Sequence, residues 1–154
     1  MFERCHNPNE VAYVYLERGF PVQLTFGKVS ILTSDRLGAV VLPPRLGAAV
    51  KEMLADEWIV PVITYQRERR DWIVLVGPNR GGALKPPALS SLAQQGIRIL
   101  DQSARVWLPM TDTQIGWFWV APPLNASAVP PRNLVLMAAR RALDGSVPTS
   151  LQRC

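Results

Sequence analysis

Three arginines lie close together in a charged segment near the middle of the chain. Arg67, Arg69 and Arg70 fall between two apolar, strand-like runs, which places them at the tip of a predicted hairpin. Exposed arginines of this kind contact phosphate groups, so the segment predicts binding to nucleic acid or to another anion. The alternative is a solvated turn, because Glu68 and Asp71 dilute the positive charge.

A glycine-rich loop, residues 77–82, follows the second strand of that hairpin and carries a fourth arginine. Gly81 and Gly82 would let backbone amides come close to a phosphate, and Arg80 would supply the charge. The spacing of the glycines matches neither the dinucleotide-binding motif nor the P-loop. A plain turn is therefore the alternative to an anion or nucleotide contact.

Two of the five tryptophans are two residues apart in a predicted strand. In a strand, Trp117 and Trp119 point to the same face of the sheet. Aromatic side chains on a sheet face can stack on bases, as they do in single-strand-binding proteins. The alternative is that both rings are packed in the hydrophobic core.

Residues for metal-dependent or nucleophilic catalysis are sparse. The acidic residues are scattered, and no predicted strand carries two acids that are two positions apart, the kind of pair that suits a two-metal site. The only histidine, His6, and the two cysteines, Cys5 and Cys154, are too few for a four-ligand zinc site within one chain. The sequence therefore predicts no metal and no cofactor. Adjacent residues such as Cys5 and His6 rarely face each other as nucleophile and base. Cys5 and Cys154 form either a disulfide or two free thiols.

The composition is that of one folded domain. Of the 154 residues, 48% are hydrophobic and 19% are charged, which excludes a disordered chain. No apolar run reaches the roughly 18 residues of a membrane helix. The polar N-terminus lacks a signal-peptide pattern, so we expect a cytoplasmic location and no membrane contact. The net charge of +5 is only a weak indication of an anionic partner, because it is spread over the whole chain.

The elements that must position these residues follow a regular order. Asn7, Pro8 and Glu10 begin a helix, and a hairpin follows over residues 22–33. Residues 39–100 then read β-α-β-β-α-β, with proline pairs at the helix starts. This order predicts an α+β fold with a ferredoxin-like antiparallel sheet core. Two further strands, over residues 106–108 and 117–120, and a helix ending near Gly145 complete a single domain over residues 1–145. Residues 146–154 are predicted to be a flexible tail.

Short apolar motifs with glycine and proline punctuation carry a family resemblance over roughly residues 10–125. They are YLERGFPV at 15–22, AVVLP at 39–43, LG at 46–47, PV at 61–62, WIVLV at 72–76, LP at 108–109 and WVAPP at 119–123. The chain resembles the actinobacterial bifunctional DNA primase/polymerase-like N-terminal domain family. The resemblance implies a ferredoxin-like palm half. It also implies an acidic pair on one strand and a histidine on a later strand in catalytic members, and this sequence has neither.

The sequence thus predicts a catalytically inactive primase/polymerase-like module that binds nucleic acid or a protein partner, in a regulatory role. The alternative is an enzyme or small-molecule-binding protein of unrelated chemistry on the same scaffold, because a fold does not fix a function. The site of that alternative would combine Arg80 and its glycine loop with the face of Trp117 and Trp119. The oligomeric state is left open.

Overall fold

The computed structural model describes residues 1–65 and 70–152, with side chains described as far as residue 145. Within those ranges the chain is a mixed α+β protein with four α-helices, eight strands and a short 3₁₀ helix, Ala126–Ala128. In chain order the helices and strands are α1 (Pro8–Glu17), β1 (Gln23–Thr25), β2 (Lys28–Leu32), β3 (Gly38–Leu42), α2 (Pro44–Leu54), β4 (Val62–Tyr65), β5 (Trp72–Val76), α3 (Pro86–Gln94), β6 (Arg98–Leu100), β7 (Arg105–Trp107), β8 (Trp117–Ala121) and α4 (Arg132–Gln152).

The strands form two antiparallel sheets. The larger sheet has the order β6-β3-β5-β4-β8, and each neighbouring pair in it is antiparallel. The smaller sheet has the order β1-β2-β7, so the N-terminal hairpin pairs with a strand from the last third of the chain. The predicted α+β class is confirmed.

Both faces of the larger sheet are covered. Alternate residues of its central strands point to opposite sides, and the residues on both sides are buried. In β3, Val40 and Leu42 enter a core that also contains Val50 of α2 and Val135 of α4. Ala39 belongs to a second core, which is formed with α1 and the smaller sheet. The domain therefore has three layers: helices, the larger sheet, and the smaller sheet with α1.

Capping residues and prolines begin the helices where the sequence predicts. The Asn7 side chain accepts a hydrogen bond from the Glu10 amide at 3.0 Å, and Pro8 is the first residue of α1. Helix α2 begins at Pro44 and α3 at Pro86. The fixed φ of proline suits the first helical turn, where its missing amide is not needed.

The C-terminal helix is longer than the sequence predicts. Helix α4 continues to Gln152, although the pattern predicts an end near Gly145. A glycine ends a helix chiefly where it adopts a left-handed conformation, and Gly145 is not among the glycines with positive φ. The flexibility of residues 146–154 stays a prediction. Pairing of Cys5 with Cys154 involves a residue outside the described ranges.

Candidate functional site

A cavity of about 340 Å³ opens where the smaller sheet meets the start of β8. We call it the tryptophan cavity. Two aromatic rings, one cation and several apolar side chains line it: Lys28, Trp107, Pro109, Met110, Ile115 and Trp117. Strand β2 supplies the lysine, and β7 and β8 each supply one tryptophan, so the cavity depends on elements from both sheets.

Trp107 lies near two cations on the outer face of the smaller sheet. Val106 and Leu108, the residues before and after it, are buried, so the alternation of the chain turns Trp107 outward. The Lys28 Nζ atom is 6.0 Å from the centre of the indole ring, and the Arg105 Cζ atom is 5.4 Å from it. A cation at these distances is attracted to an aromatic face. Arg105 is also fixed by a hydrogen bond from Nη1 to the Ser30 hydroxyl at 2.7 Å.

Trp117 is 38% exposed at the beginning of the edge strand β8. Its ring meets Tyr65 edge to face, with 4.7 Å between the centroids, and the two residues pair in the register of β4 and β8. Tyr65 is the last residue of β4, so the predicted arginine hairpin follows it directly in the sequence. Arg67 and Arg69 lie outside the described residues, and Arg70 is exposed just before β5.

Trp119 lies deeper than Trp117 and packs against the core beneath α1. Its Nε1 atom donates to the Tyr15 hydroxyl at 2.9 Å, and that hydroxyl donates to the carbonyl of Pro109 in the cavity wall. Tyr15 is fully buried, and this burial raises the pKa of its hydroxyl. Of the two predicted tryptophans, Trp117 therefore lines the cavity, whereas Trp119 supports it from behind.

Arg80 and the two glycines lie in the loop after β5. The Asn133 side chain accepts a hydrogen bond from the Arg80 amide at 2.9 Å and donates to the carbonyls of Arg80 and Gly82. The Arg80 Cζ atom is 5.6 Å from the centre of the Trp58 ring. Gly81 has a φ of +76°, which favours glycine, and a Cβ on either glycine would meet no atom within 4 Å. The loop is thus an open turn that one asparagine holds in place.

The predicted site residues fall into two groups at opposite ends of β5. Trp117 pairs with Tyr65, the last residue of β4, and the end of β4 lies beside the beginning of β5 in the antiparallel sheet. The Arg80 loop instead follows the last residue of β5. About six residues of extended strand separate the two positions, or roughly 20 Å. A single ligand in contact with both Arg80 and Trp117 would have to extend over that distance.

Three residues in and around the cavity were not among the predicted site residues: Lys28, Arg105 and Trp107. A local signal exists, because Arg105 and Trp107 are two apart in a strand and share a face. The decisive contact is non-local. Pairing of Ser30 with Trp107 brings Lys28 to the indole ring, and nothing in the local pattern specifies that register.

Two other predictions concern chemistry that needs clustered or activated groups. Among the described residues, no three His, Cys, Asp or Glu side chains lie close enough together to hold a metal ion. The pKa of the Cys5 thiol is raised, mainly by burial and further by Glu10 and Asp112. An activated nucleophilic thiol needs the opposite shift.

In the same described ranges, no helix is long and apolar enough to cross a membrane.

Comparisons of the chain with family models, with curated proteins and with solved structures gave no match. The resemblance to primase/polymerase-like domains therefore stays a prediction. The chemistry of the tryptophan cavity is what points to a function.

Proposed function

We propose that the chain is a catalytically inactive primase/polymerase-like module that binds single-stranded nucleic acid in the tryptophan cavity. The observation that carries this proposal is the convergence of two partly exposed indole rings and one lysine on one cavity. Indole faces stack on unpaired bases, and a lysine ammonium neutralises a phosphate. Proteins that bind single strands without strong sequence preference combine these two contacts.

The scaffold that we propose for this module is a ferredoxin-like core within the larger sheet. Its support is the succession β3, α2, β4, β5, α3, β6 and the neighbour order β6-β3-β5-β4. The palm strands of catalytic members would carry an acidic pair, as the resemblance implies. Strand β3 reads GAVVL and β5 reads WIVLV, and neither contains an acid, which supports binding over catalysis.

Single strands suit the cavity better than duplexes do. The faces of the bases are covered by stacking in a duplex, and only unpaired bases can turn into a recess lined by aromatic side chains. Arg105 is exposed beside Trp107, and the net charge of the chain is +5. Both favour a polyanionic ligand whose backbone runs along the outside of the cavity.

A second candidate, a small-molecule-binding protein, is favoured by the volume of the cavity. Small-molecule pockets measure about 300–1,000 Å³, and the tryptophan cavity measures about 340 Å³. A free nucleotide would find the same ring faces and the same lysine. The two candidates differ in whether affinity grows with the length of the strand.

The test is an anisotropy titration with a labelled single strand of about ten nucleotides, which is within the usual site size. The same strand in a duplex and a free mononucleotide serve as competitors. Substituting Trp107→Ala or Trp117→Ala is expected to weaken binding about 5- to 150-fold, the loss of one stacked base. Trp58→Phe is the control, because Trp58 lies beside Arg80, away from the tryptophan cavity. The affinity of this variant for the strand should equal that of the wild type.

Salt dependence tests the contribution of the lysine separately. Lys28→Ala should reduce the slope of log K against log salt concentration by about 0.7, the value for one phosphate contact with a single strand. A wild-type Kd weaker than about 100 μM at low salt, the level of non-specific binding, would overturn the proposal. Wild-type affinity in both Trp→Ala variants would do the same, and tight binding of the mononucleotide alone would favour the second candidate.

A further inference from the structure

Phe26 has a large apolar side chain that is 99% exposed at the tip of the β1–β2 hairpin. Thr25 pairs with Lys28, so Phe26 and Gly27 alone form the turn. Their φ angles are +51° and +72°, both left-handed, as in a type I′ turn. Such turns prefer Asn-Gly, and a bulky residue is rare in this conformation. Phe26 therefore neither packs in the core nor suits its turn.

The position of the hairpin tip relates Phe26 to the tryptophan cavity. Lys28 lines the cavity, and its Nζ atom is 6.0 Å from the centre of the Trp107 ring. Phe26 and Lys28 belong to the same tight turn, so the distance between their Cα atoms is at most about 7 Å. That is about the rise of two stacked nucleotides in one strand. A nucleic-acid strand with one base on Trp107 therefore has a nearby base within reach of the hairpin tip.

We propose that Phe26 is a further stacking residue of the same nucleic-acid site and that it favours single strands over duplexes. This inference rests on the proposed function. The Phe26 ring is open to solvent, so an unpaired base can lie flat against it, and Lys28 is placed to neutralise a phosphate between that base and Trp107. A duplex offers no free base face to the ring. The ligand then supplies the packing that the fold does not give to this side chain.

Three substitutions of Phe26 separate the ring from the turn. Phe26→Asn removes the ring and improves the turn, so we expect Tm to rise by about 2–4 °C and affinity for the single strand to fall at least about 5-fold. Phe26→Ala removes the ring and keeps the unfavourable conformation, so affinity should fall without the rise in Tm. Phe26→Trp keeps a stacking ring and should bind as tightly as the wild type.

Leu24→Thr is the matched control, because Leu24 is a partly exposed apolar residue on the same hairpin and threonine suits a strand. Its affinity should not change. If Phe26→Asn binds as tightly as the wild type while Trp117→Ala does not, Phe26 has no part in binding and only this inference is overturned. If the wild type binds no single strand, both proposals fall. A lower Tm in Phe26→Asn would contradict the conformational reasoning and overturn the inference on that ground.

Discussion

Replacing Tyr15 by phenylalanine removes one hydroxyl from the core. This hydroxyl forms hydrogen bonds to two residues that hold the wall of the tryptophan cavity in place. The hydroxyl donates to the carbonyl of Pro109 and accepts from Trp119 Nε1 at 2.9 Å. Pro109 lines the cavity, and Trp119 is two residues from Trp117 in β8. The substitution therefore removes the two hydrogen bonds that join Tyr15 of α1 to Pro109 and Trp119, while it leaves the ring of residue 15 in place.

The expected loss of stability follows from the two groups that lose their partner. The Pro109 carbonyl belongs to a buried residue and Trp119 is half-buried, so neither group is freely open to water. An unpaired buried polar group costs about 1–3 kcal/mol, and the half-buried one should lie near the lower value. We expect the free energy of unfolding to fall by about 2–4 kcal/mol. For a chain of 154 residues, that lowers Tm by on the order of 10 °C.

The same substitution changes the alkaline limit of stability. Burial raises the pKa of Tyr15 above the ordinary tyrosine value of about 10. Because the folded state holds this proton more tightly than the unfolded state, the associated stability is complete below about pH 10. It is lost as the pH rises further, by up to about 1.4 kcal/mol per pH unit. Tyr15→Phe should therefore depend less steeply on pH above 10 than the wild type does.

Urea unfolding followed by tryptophan fluorescence, at pH 7 and at steps through the alkaline range, measures both effects. Tyr13→Phe is the control. Tyr13 is on the same helix, but it is exposed and its hydroxyl is not buried in the core, so the urea midpoint of Tyr13→Phe should match that of the wild type. A midpoint for Tyr15→Phe equal to that of Tyr13→Phe would refute the assignment of the two buried hydrogen bonds.

Three further predictions concern other parts of the fold. Gly47→Ala should lower the free energy of unfolding by about 1–3 kcal/mol, because the added Cβ atom would be 2.8 Å from the Trp72 ring. As its control, Gly145→Ala adds a Cβ atom that meets no atom within 4 Å, and it should raise the urea midpoint slightly. Asn133→Ala should expose the loop after β5 to trypsin at Arg80, which limited proteolysis detects. In a Cys154→Ser background, Cys5 should react with iodoacetamide more slowly than free cysteine, because its pKa is raised.

Local patterns were enough to predict most of the elements. Asn7 and Glu10 cap α1, and α2 and α3 begin at the predicted prolines. These features depend on residues within one turn of each other, so the sequence displays them directly. The end of α4 was the exception, because a glycine without a left-handed φ does not by itself end a helix.

The arrangement of the strands depends on contacts that local patterns do not specify. Pairing of β2 with β7 and of β4 with β8 joins segments far apart in the sequence. Trp117 was therefore predicted from its own strand, whereas Lys28 and Trp107 were missed because only the β2–β7 register brings them together. The alternative small-molecule site combined Arg80 with Trp117, but the structure places the two near opposite ends of β5.

The tryptophan cavity lies where the two sheets meet, so its walls keep their positions only while the sheets stay packed together. Tyr15 stabilises that packing without lining the cavity, and Trp117 lines it from an edge strand. If the proposed function holds, Trp117 acts on the binding free energy by contact and Tyr15 acts by position. Substituting both should then cost less affinity than the sum of the two separate losses, because Tyr15 has less left to position. Strictly additive losses would contradict this coupling and show that Tyr15 does not act by positioning Trp117.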